Sequence, residues 1–310
     1  MMTTSLLNTL LACGVALAIP GLINRVRARL AGRKGIRFAQ HLYDVRLLLR
    51  KGAVYSPTVS ALFRAAPAVY LGAAFTALLF IPVGDLAPLL SFDGDLICFA
   101  YLLALGRFAL ILAALDTGSS FEGMGASREA LYGALAEPAL LFAGATLALV
   151  CGCTSFADLT AGALSVSMSG MHTAVVLLLT AYVLLKLVFV ESGRVPVDDP
   201  RTHLELTMIH EVMCLDYCGI DLAMIKIAGW FKTAALALLA ADTALMAFDC
   251  RWWTAAPLAV LLTGAAVGVV ESTRARNKLV RNTTFLLTLA ALAALVFFTG
   301  YLLQSDIEIR

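Results

Sequence analysis

Charge is what this sequence has least of. Only 14% of its 310 residues are Asp, Glu, Lys or Arg, against 61% hydrophobic, where an ordinary soluble domain carries about 25% charged residues. A soluble fold could not cover its surface with so few charges, and the mean hydropathy is +0.88. The chain is therefore expected to be an integral membrane protein. It lacks any polar stretch long enough to build a second domain, so 1–310 is read as a single transmembrane domain. Its seven cysteines include no CxxC pair and lie mostly in apolar runs, where a free thiol behaves as a small hydrophobe. Cys151-Gly-Cys153 remains open as a metal or redox pair. No strand precedes the glycines of "GMGASRE" and no Gly-Lys-Ser/Thr follows them, which excludes a phosphate-binding loop. No nucleophile stands with recognisable partners, so a self-contained enzyme is not expected, and nothing points to nucleic acid. No internal repeat suggests an inverted-repeat transporter.

What is present is apolar length. A membrane span needs roughly 20 mostly apolar residues, and eight segments qualify: about 4–23, 64–84, 96–115, 133–152, 170–190, 218–240, 254–271 and 284–303. The sixth is the least regular, because it contains Asp221, Lys226 and Lys232. The expected fold is an all-α bundle of about eight transmembrane helices.

The loops divide by charge. The first carries Arg25, Arg27, Arg29, Arg33, Lys34, Arg37, Arg46, Arg50 and Lys51; the third carries Arg128, the fifth Arg194 and Arg201, and the seventh Arg274, Arg276, Lys278 and Arg281. The second and fourth loops have no Lys or Arg, the sixth has only Arg251 and the C-terminal tail only Arg310. The positive-inside rule then puts the odd loops in the cytoplasm and both termini on the extracytoplasmic side. The N-terminal apolar run has no basic residues before it, which argues for a retained first span. Within the first loop, "FAQHLYDVRLLLR" spaces Leu42, Val45, Leu48 and Leu49 at helical intervals and predicts an interfacial amphipathic helix. That helix either covers the bundle or borders a partner or a lipid-facing opening.

The short even loops carry Asp85, Asp93, Asp95, Asp158 and Asp249, and many of the other acids recur on the side of the odd loops. Glu129 and Glu137, eight residues apart, fall broadly on one side of a helix. Pro138 follows Glu137 and can kink the span beside the carboxylate. Asp116 ends the third span, with Arg107 about two turns inside it; Lys186 lies near the end of the fifth, and Glu191 follows. In "ESGRVPVDDPRTHLELTMIHEV", Asp199 is a plausible N-cap and Pro200 fits the first helical position. A helix from there would align Glu205, Ile209, Val212 and Asp216 on one face, with His203, Thr207, His210, Glu211 and Cys214 as a polar face. Carboxylates and imidazoles in a dry site have shifted pKa values and can exchange protons, and ionisable groups within a membrane domain are functional candidates. The bland alternative is that some acids pair with Arg128, Arg194 or Arg201 and only hold loops. A second alternative is a metal held by His210, Cys214 and Cys218 at i, i+4, i+8.

Four stretches carry a resemblance: "ARLAGRKG", "FRAAP", "LDTGSSFEGMGASREALYGALAEPALLF" and "ESGRVPVDDPRTHLELTMIHEVMCLDYCG". Together they resemble the membrane subunit of formate hydrogenlyase and of group 4 energy-converting hydrogenases, which is homologous to subunit 1 of respiratory complex I. The resemblance runs from about 20 to 285. It implies eight spans in a complex I subunit 1-like bundle, in a prokaryotic plasma membrane. It also implies a place between a peripheral redox arm and antiporter-like membrane subunits. The arm would have hydrogenase-like large and small subunits and an iron–sulfur protein. Clusters and a nickel–iron site would sit on those partners, with no cofactor on this chain except a possible quinone. Buried carboxylates would relay protons: by motif match, Asp116, Arg128, Glu129 and Glu137, then Glu191, Arg194, Asp198 and Glu205, with Asp216 at the place of a glutamate in the family's Glu-Tyr-Ser-Gly pattern. With Asp199 and Glu211 these acids form the expected relay, and Arg107, Arg128, Arg194 and His210 are its charge partners. The chain departs from the pattern where "DYCG" replaces Glu-Tyr-Ser-Gly and where Arg201 and His203 stand in place of glutamates. A stand-alone transporter is the competing reading from a different class.

Overall fold

A computed structural model describes residues 2–160, 171–199, 208–249 and 252–305. Ten α-helices appear among them: α1 (Met2–Leu30), α2 (Gln40–Leu48), α3 (Ala61–Phe80), α4 (Asp95–Asp116), α5 (Ser120–Cys151), α6 (Phe156–Thr160), α7 (Met171–Glu191), α8 (Gly219–Met246), α9 (Ala255–Thr273) and α10 (Leu279–Gln304). All but α2 and α6 are long and apolar enough to cross a membrane, giving eight spans. Each overlaps one of the eight expected segments. Bounds moved most where polar residues continue a helix past its apolar centre: α5 starts at Ser120 rather than near 133, and α8 runs on to Met246. Backbone polar groups cannot be left bare in lipid, so a helix is extended through polar residues to the interface.

Helix α8 stands at the centre, against α1, α2, α3, α7 and α9. Its run Ala234–Ala241 holds only alanine and leucine, all buried, and small residues let neighbouring backbones approach closely. That is why a span with two lysines and two aspartates is still the most enclosed helix. α3 packs on α4, α5 on α10 and α4, and α1 on α9.

At the bundle end opposite the basic loops, the acids tie turns together. Asp95 accepts the Phe156 N–H at 2.9 Å, and Asp242 accepts that of Gly84 at 3.3 Å. These bonds satisfy buried backbone donors and hold short loops.

The amphipathic α2 forms as expected but buries a different stripe. His41 and Val45 face inward, where His41 meets Trp230 of α8 edge-on with centroids 4.9 Å apart. Leu42, Leu47 and Leu49 are exposed. An interfacial helix has lipid or a partner on its outer side, so its leucines need not face the bundle.

Candidate functional site

Four spans bring charge to one point near the basic end of the bundle. Arg107 of α4 is 6% exposed and lies between three carboxylates. Its Nε is 3.5 Å from Glu129 Oε1, its Nη1 donates to Glu137 Oε1 at 2.8 Å, and its Nη2 donates to Glu191 Oε1. The other oxygen of Glu191 accepts from Lys232 Nζ of α8 at 3.2 Å. Gly133 of α5 makes room for the guanidinium: a Cβ there would lie 2.9 Å from Arg107 Cδ and closer still to Nη1.

The cluster continues into the loop after α7. His210 Nε2 is 3.3 Å from Glu129 Oε2, and its Nδ1 is 3.8 Å from Asp198 Oδ2. Asp198 is also 3.2 Å from Arg276 Nη2. Arg107, Lys232, Arg276 and a protonated His210 thus stand against Glu129, Glu137, Glu191 and Asp198. That balance lets so many ions remain buried, because an unpaired ion in a low-dielectric site is expensive.

Burial by itself would lower the His210 pKa, but the carboxylates of Glu129 and Asp198 outweigh it and hold the imidazole at about 9. Burial would raise Asp198, but His210 and Arg276 keep its carboxyl below the ordinary value. Burial, with Glu211 and Glu122 nearby, pushes the Cys214 thiol up to about 12, so it is neutral at ordinary pH. Among the described residues no three His, Cys, Asp or Glu side chains form a metal-ligand set, and His210, Cys214 and Cys218 are not brought together as one.

The expected helix through the acidic loop is not what the described part adopts. Residues 209–211 are bend and turn, and Val212–Cys214 is a single 3-10 turn. The reason is Asp198. Its Oδ2 accepts the N–H groups of Ile209 at 3.1 Å and His210 at 3.3 Å, a side-chain bonding pattern that competes with helix. Arg128 pins the same turn by donating to the Met208 carbonyl at 3.1 Å. Gly193 completes the fold-back. Its φ is +58°, and a Cβ would sit 2.8 Å from His210 Nδ1, so glycine suits this position twice over.

Of the expected relay and partner residues, the structure unites Glu129, Glu137, Glu191, Asp198, Arg107 and His210. Others lie apart. Asp116 Oδ2 accepts the Ser60 N–H at 2.7 Å, beside the start of α3. Asp199 donates its own N–H to Asp198 at 2.9 Å. Arg194 pairs with Glu271 of α9 at 3.1 Å, as does Arg27 of α1 at 3.0 Å. Asp216 is exposed, and its N–H donates to the buried Glu122 at 3.1 Å. Glu211 is exposed at a cavity mouth. Glu205 and His203, with Pro200 and Arg201, lie outside the described residues.

Lys232, Arg276, Glu271 and Glu122 were not anticipated. Lys232 leaves a signal, since it interrupts an apolar span; Arg276 counts in the sequence only as a loop cation, and Glu271 and Glu122 give no sign there of their partners.

A cavity of about 440 Å³ opens beside the cluster. Glu191, Arg194, Asp198, His210 and Lys226 give it a polar wall, and Tyr70, Leu110, Ile225 and Trp230 an apolar one.

An eight-span bundle with a neutralised charge cluster at one end and a loop folded over it defines a multi-pass membrane protein with a buried ionic site. Comparison with known proteins agrees. Residues 3–303 match the protein family described as NADH dehydrogenase, and the chain belongs to that family. It is 31% identical over 292 residues to hydrogenase-4 component C of Escherichia coli (strain K12), covering 90% of each chain. It is 32% identical over 221 residues to formate hydrogenlyase subunit 4 of the same organism, covering 71% of this chain and 70% of that one. Its fold is that of a chain in the membrane-bound sulfane sulfur reductase, an archaeal respiratory membrane complex, with a TM-score of 0.77 and 22% identity over 96% of this chain and 99% of that chain. The protein is a multi-pass membrane subunit of a hydrogenase-like or complex I-like respiratory complex.

Proposed function

We propose that this chain connects the redox arm of its complex to the membrane arm and relays protons between them through the Arg107 cluster. One observation carries the reading. Ionisable side chains follow one another from the cavity wall at Asp198 and His210, through Glu129, to Arg107, Glu191 and Glu137. Glu137 stands near the middle of α5 with its side chain 42% exposed on the flank of the bundle. A carboxylate there is costly against lipid, which supports a neighbouring membrane subunit on that flank. Alternating carboxylates and cations let a proton be exchanged for a side-chain rearrangement at each step, because neighbouring charges set one another's pKa values.

In this reading the basic loops face the cytoplasm and the redox arm, both termini are extracytoplasmic, and the membrane is the plasma membrane of a prokaryote. Iron–sulfur clusters and any nickel–iron site belong to hydrogenase-like partner subunits, and antiporter-like subunits continue the membrane arm. The test is Glu137→Gln in the intact complex in proteoliposomes. Redox turnover driven by soluble carriers is expected to persist, with proton translocation per electron falling at least tenfold. Unchanged translocation would reject the relay.

The cavity favours a second reading on the same frame. Its mixed walls suit a quinone, with ring and tail against Tyr70, Leu110 and Trp230 and carbonyls toward His210 or Lys226, and α2 stands beside it through the His41–Trp230 contact. A quinone-using complex should reduce an added short-chain quinone and release a bound one on solvent extraction. Neither signal is expected if electrons leave by another route.

A further inference from the structure

The first loop holds an unclaimed feature. α1 ends at Leu30, and the chain then turns back on itself: the Gly32 N–H donates to Arg29 at 3.0 Å and the Arg33 N–H to Ala28 at 2.8 Å. Gly32 and Gly35 have φ of +68° and +70°, and a Cβ on Gly35 would stand 2.5 Å from that of Ala28. This tight reversal sets Arg33 and Ile36 across from Asn24 and Arg27, and the four enclose a concavity of about 360 Å³ floored by alanine and glycine.

The concavity is cationic and belongs to the interface. Arg27 is held in place by Glu271, whose side chain is fully buried and also bonded to Arg194. No ion pair engages Arg25, Arg29, Arg33, Lys34 or Arg37 among the described residues, and the nearest acid of the loop in sequence, Asp44, accepts from Gln40. Exposed apolar side chains alternate with these cations: Leu30, Ile36 and Phe38 are all more than 40% exposed. A clustered basic segment at the end of a span attracts anionic lipid, and interleaved large apolar residues suit insertion among acyl chains.

We propose that the concavity between Arg27 and Arg33 binds the phosphate headgroup of an anionic phospholipid, with Ile36 and Phe38 packing on its acyl chains. Arginine presents several N–H donors in a planar fork suited to phosphate, and Arg27 arrives already oriented. The apolar residues beside the cations, at the end of a span, favour a lipid over a free anion, which would leave them in water.

The test uses the intact complex, reconstituted with phosphatidylglycerol and phosphatidylcholine and then stripped with detergent. Lipid retained by the wild type and by the Arg33→Gln/Lys34→Gln double variant is measured by mass spectrometry. Both side chains are outside the charge cluster, and an unchanged thermal midpoint verifies folding. Each cation removed near the surface should weaken retention about fivefold, so phosphatidylglycerol retention falls about twenty-five-fold, with phosphatidylcholine unaffected. Four results would overturn the proposal. Retention could be unchanged, or it could fall equally in an Arg46→Gln/Arg50→Gln control at and just past the end of α2, which would show diffuse attraction. Inorganic phosphate at millimolar concentration could displace the lipid, which would show a free-anion site. The double variant could also lose a protein subunit while keeping its lipid, which would show an acidic partner there.

Discussion

Replacing Arg107 with leucine should destabilise the folded chain by about 3–5 kcal/mol, the cost of removing one partner from a buried ionic group. The reason is the number of groups that depend on it. Glu129 and Glu191 are each about 5% exposed, and both draw on the same guanidinium. Without it, Lys232 and His210 alone face three carboxylates, and at least one of them must take up a proton or draw water into the bundle. Lysine at this position would keep the charge but lose the fork that reaches three acids at once, so Arg107→Lys should recover only part of the loss. The measurement is denaturant or thermal unfolding of the purified complex, followed by subunit retention. Adding Glu137→Gln to Arg107→Leu should restore part of the stability: Glu129 keeps His210 and Glu191 keeps Lys232, so Glu137 is the carboxylate whose cation has gone. A single variant as stable as the wild type, or a double variant no better than the single, would mean the cluster carries no net electrostatic strain.

His210→Gln should loosen the turn at 208–216 in a pH-dependent way. The folded-state pKa of His210 is raised to about 9, above the unfolded value of about 6.5. Its contribution is therefore complete below about pH 6.5 and is lost as pH rises through 9. Asp198 shifts the opposite way, so its contribution is present above about pH 4, its unfolded value, and is lost as pH falls through its folded one. Both act together between about pH 4 and 6.5. The imidazole side chain is 26% exposed, which puts the loss below that for a fully buried pair, at about 1–2 kcal/mol. The gap in thermal midpoint between variant and wild type should be full at pH 6 and gone by pH 10. Hydrogen exchange at Ile209 and His210, whose N–H groups bond to Asp198, should follow the same curve. A gap that does not change with pH would remove the imidazole–carboxylate pair as its cause.

Arg107 and His210 differ in how much of their surroundings is legible along the chain. Arg107, Glu129 and Glu137 stand out in the sequence because a charge inside an apolar run has few explanations, and helical spacing already places both glutamates on one side. Glu191 stands out for the same reason. His210 was legible as a candidate but not in its role, since a helix through 200–216 would have put it on a polar face with Cys214. What keeps residues 209–211 out of helix is one side chain, Asp198, capping two N–H groups eleven and twelve positions along the chain. Nothing in the spacing distinguishes it from Asp199 beside it.

The sequence alone determined that this chain has eight spans, which loops share a side, and that many of its acids recur there. Those properties depend on apolar length and on counts of charge, which are local and additive along the chain. Only the tertiary structure decided which acid meets which cation. Glu137 and Glu191 converge on Arg107, Glu191 reaches across to Lys232, and Arg194 turns from the acids of its own loop to Glu271 of α9. Such pairings join residues 30 to 84 positions apart, and they depend on helix rotation and on small residues such as Gly133 and Gly193 that let a ring or a guanidinium in. A membrane interior makes every unpaired charge expensive, so the bundle settles in the packing that leaves the fewest.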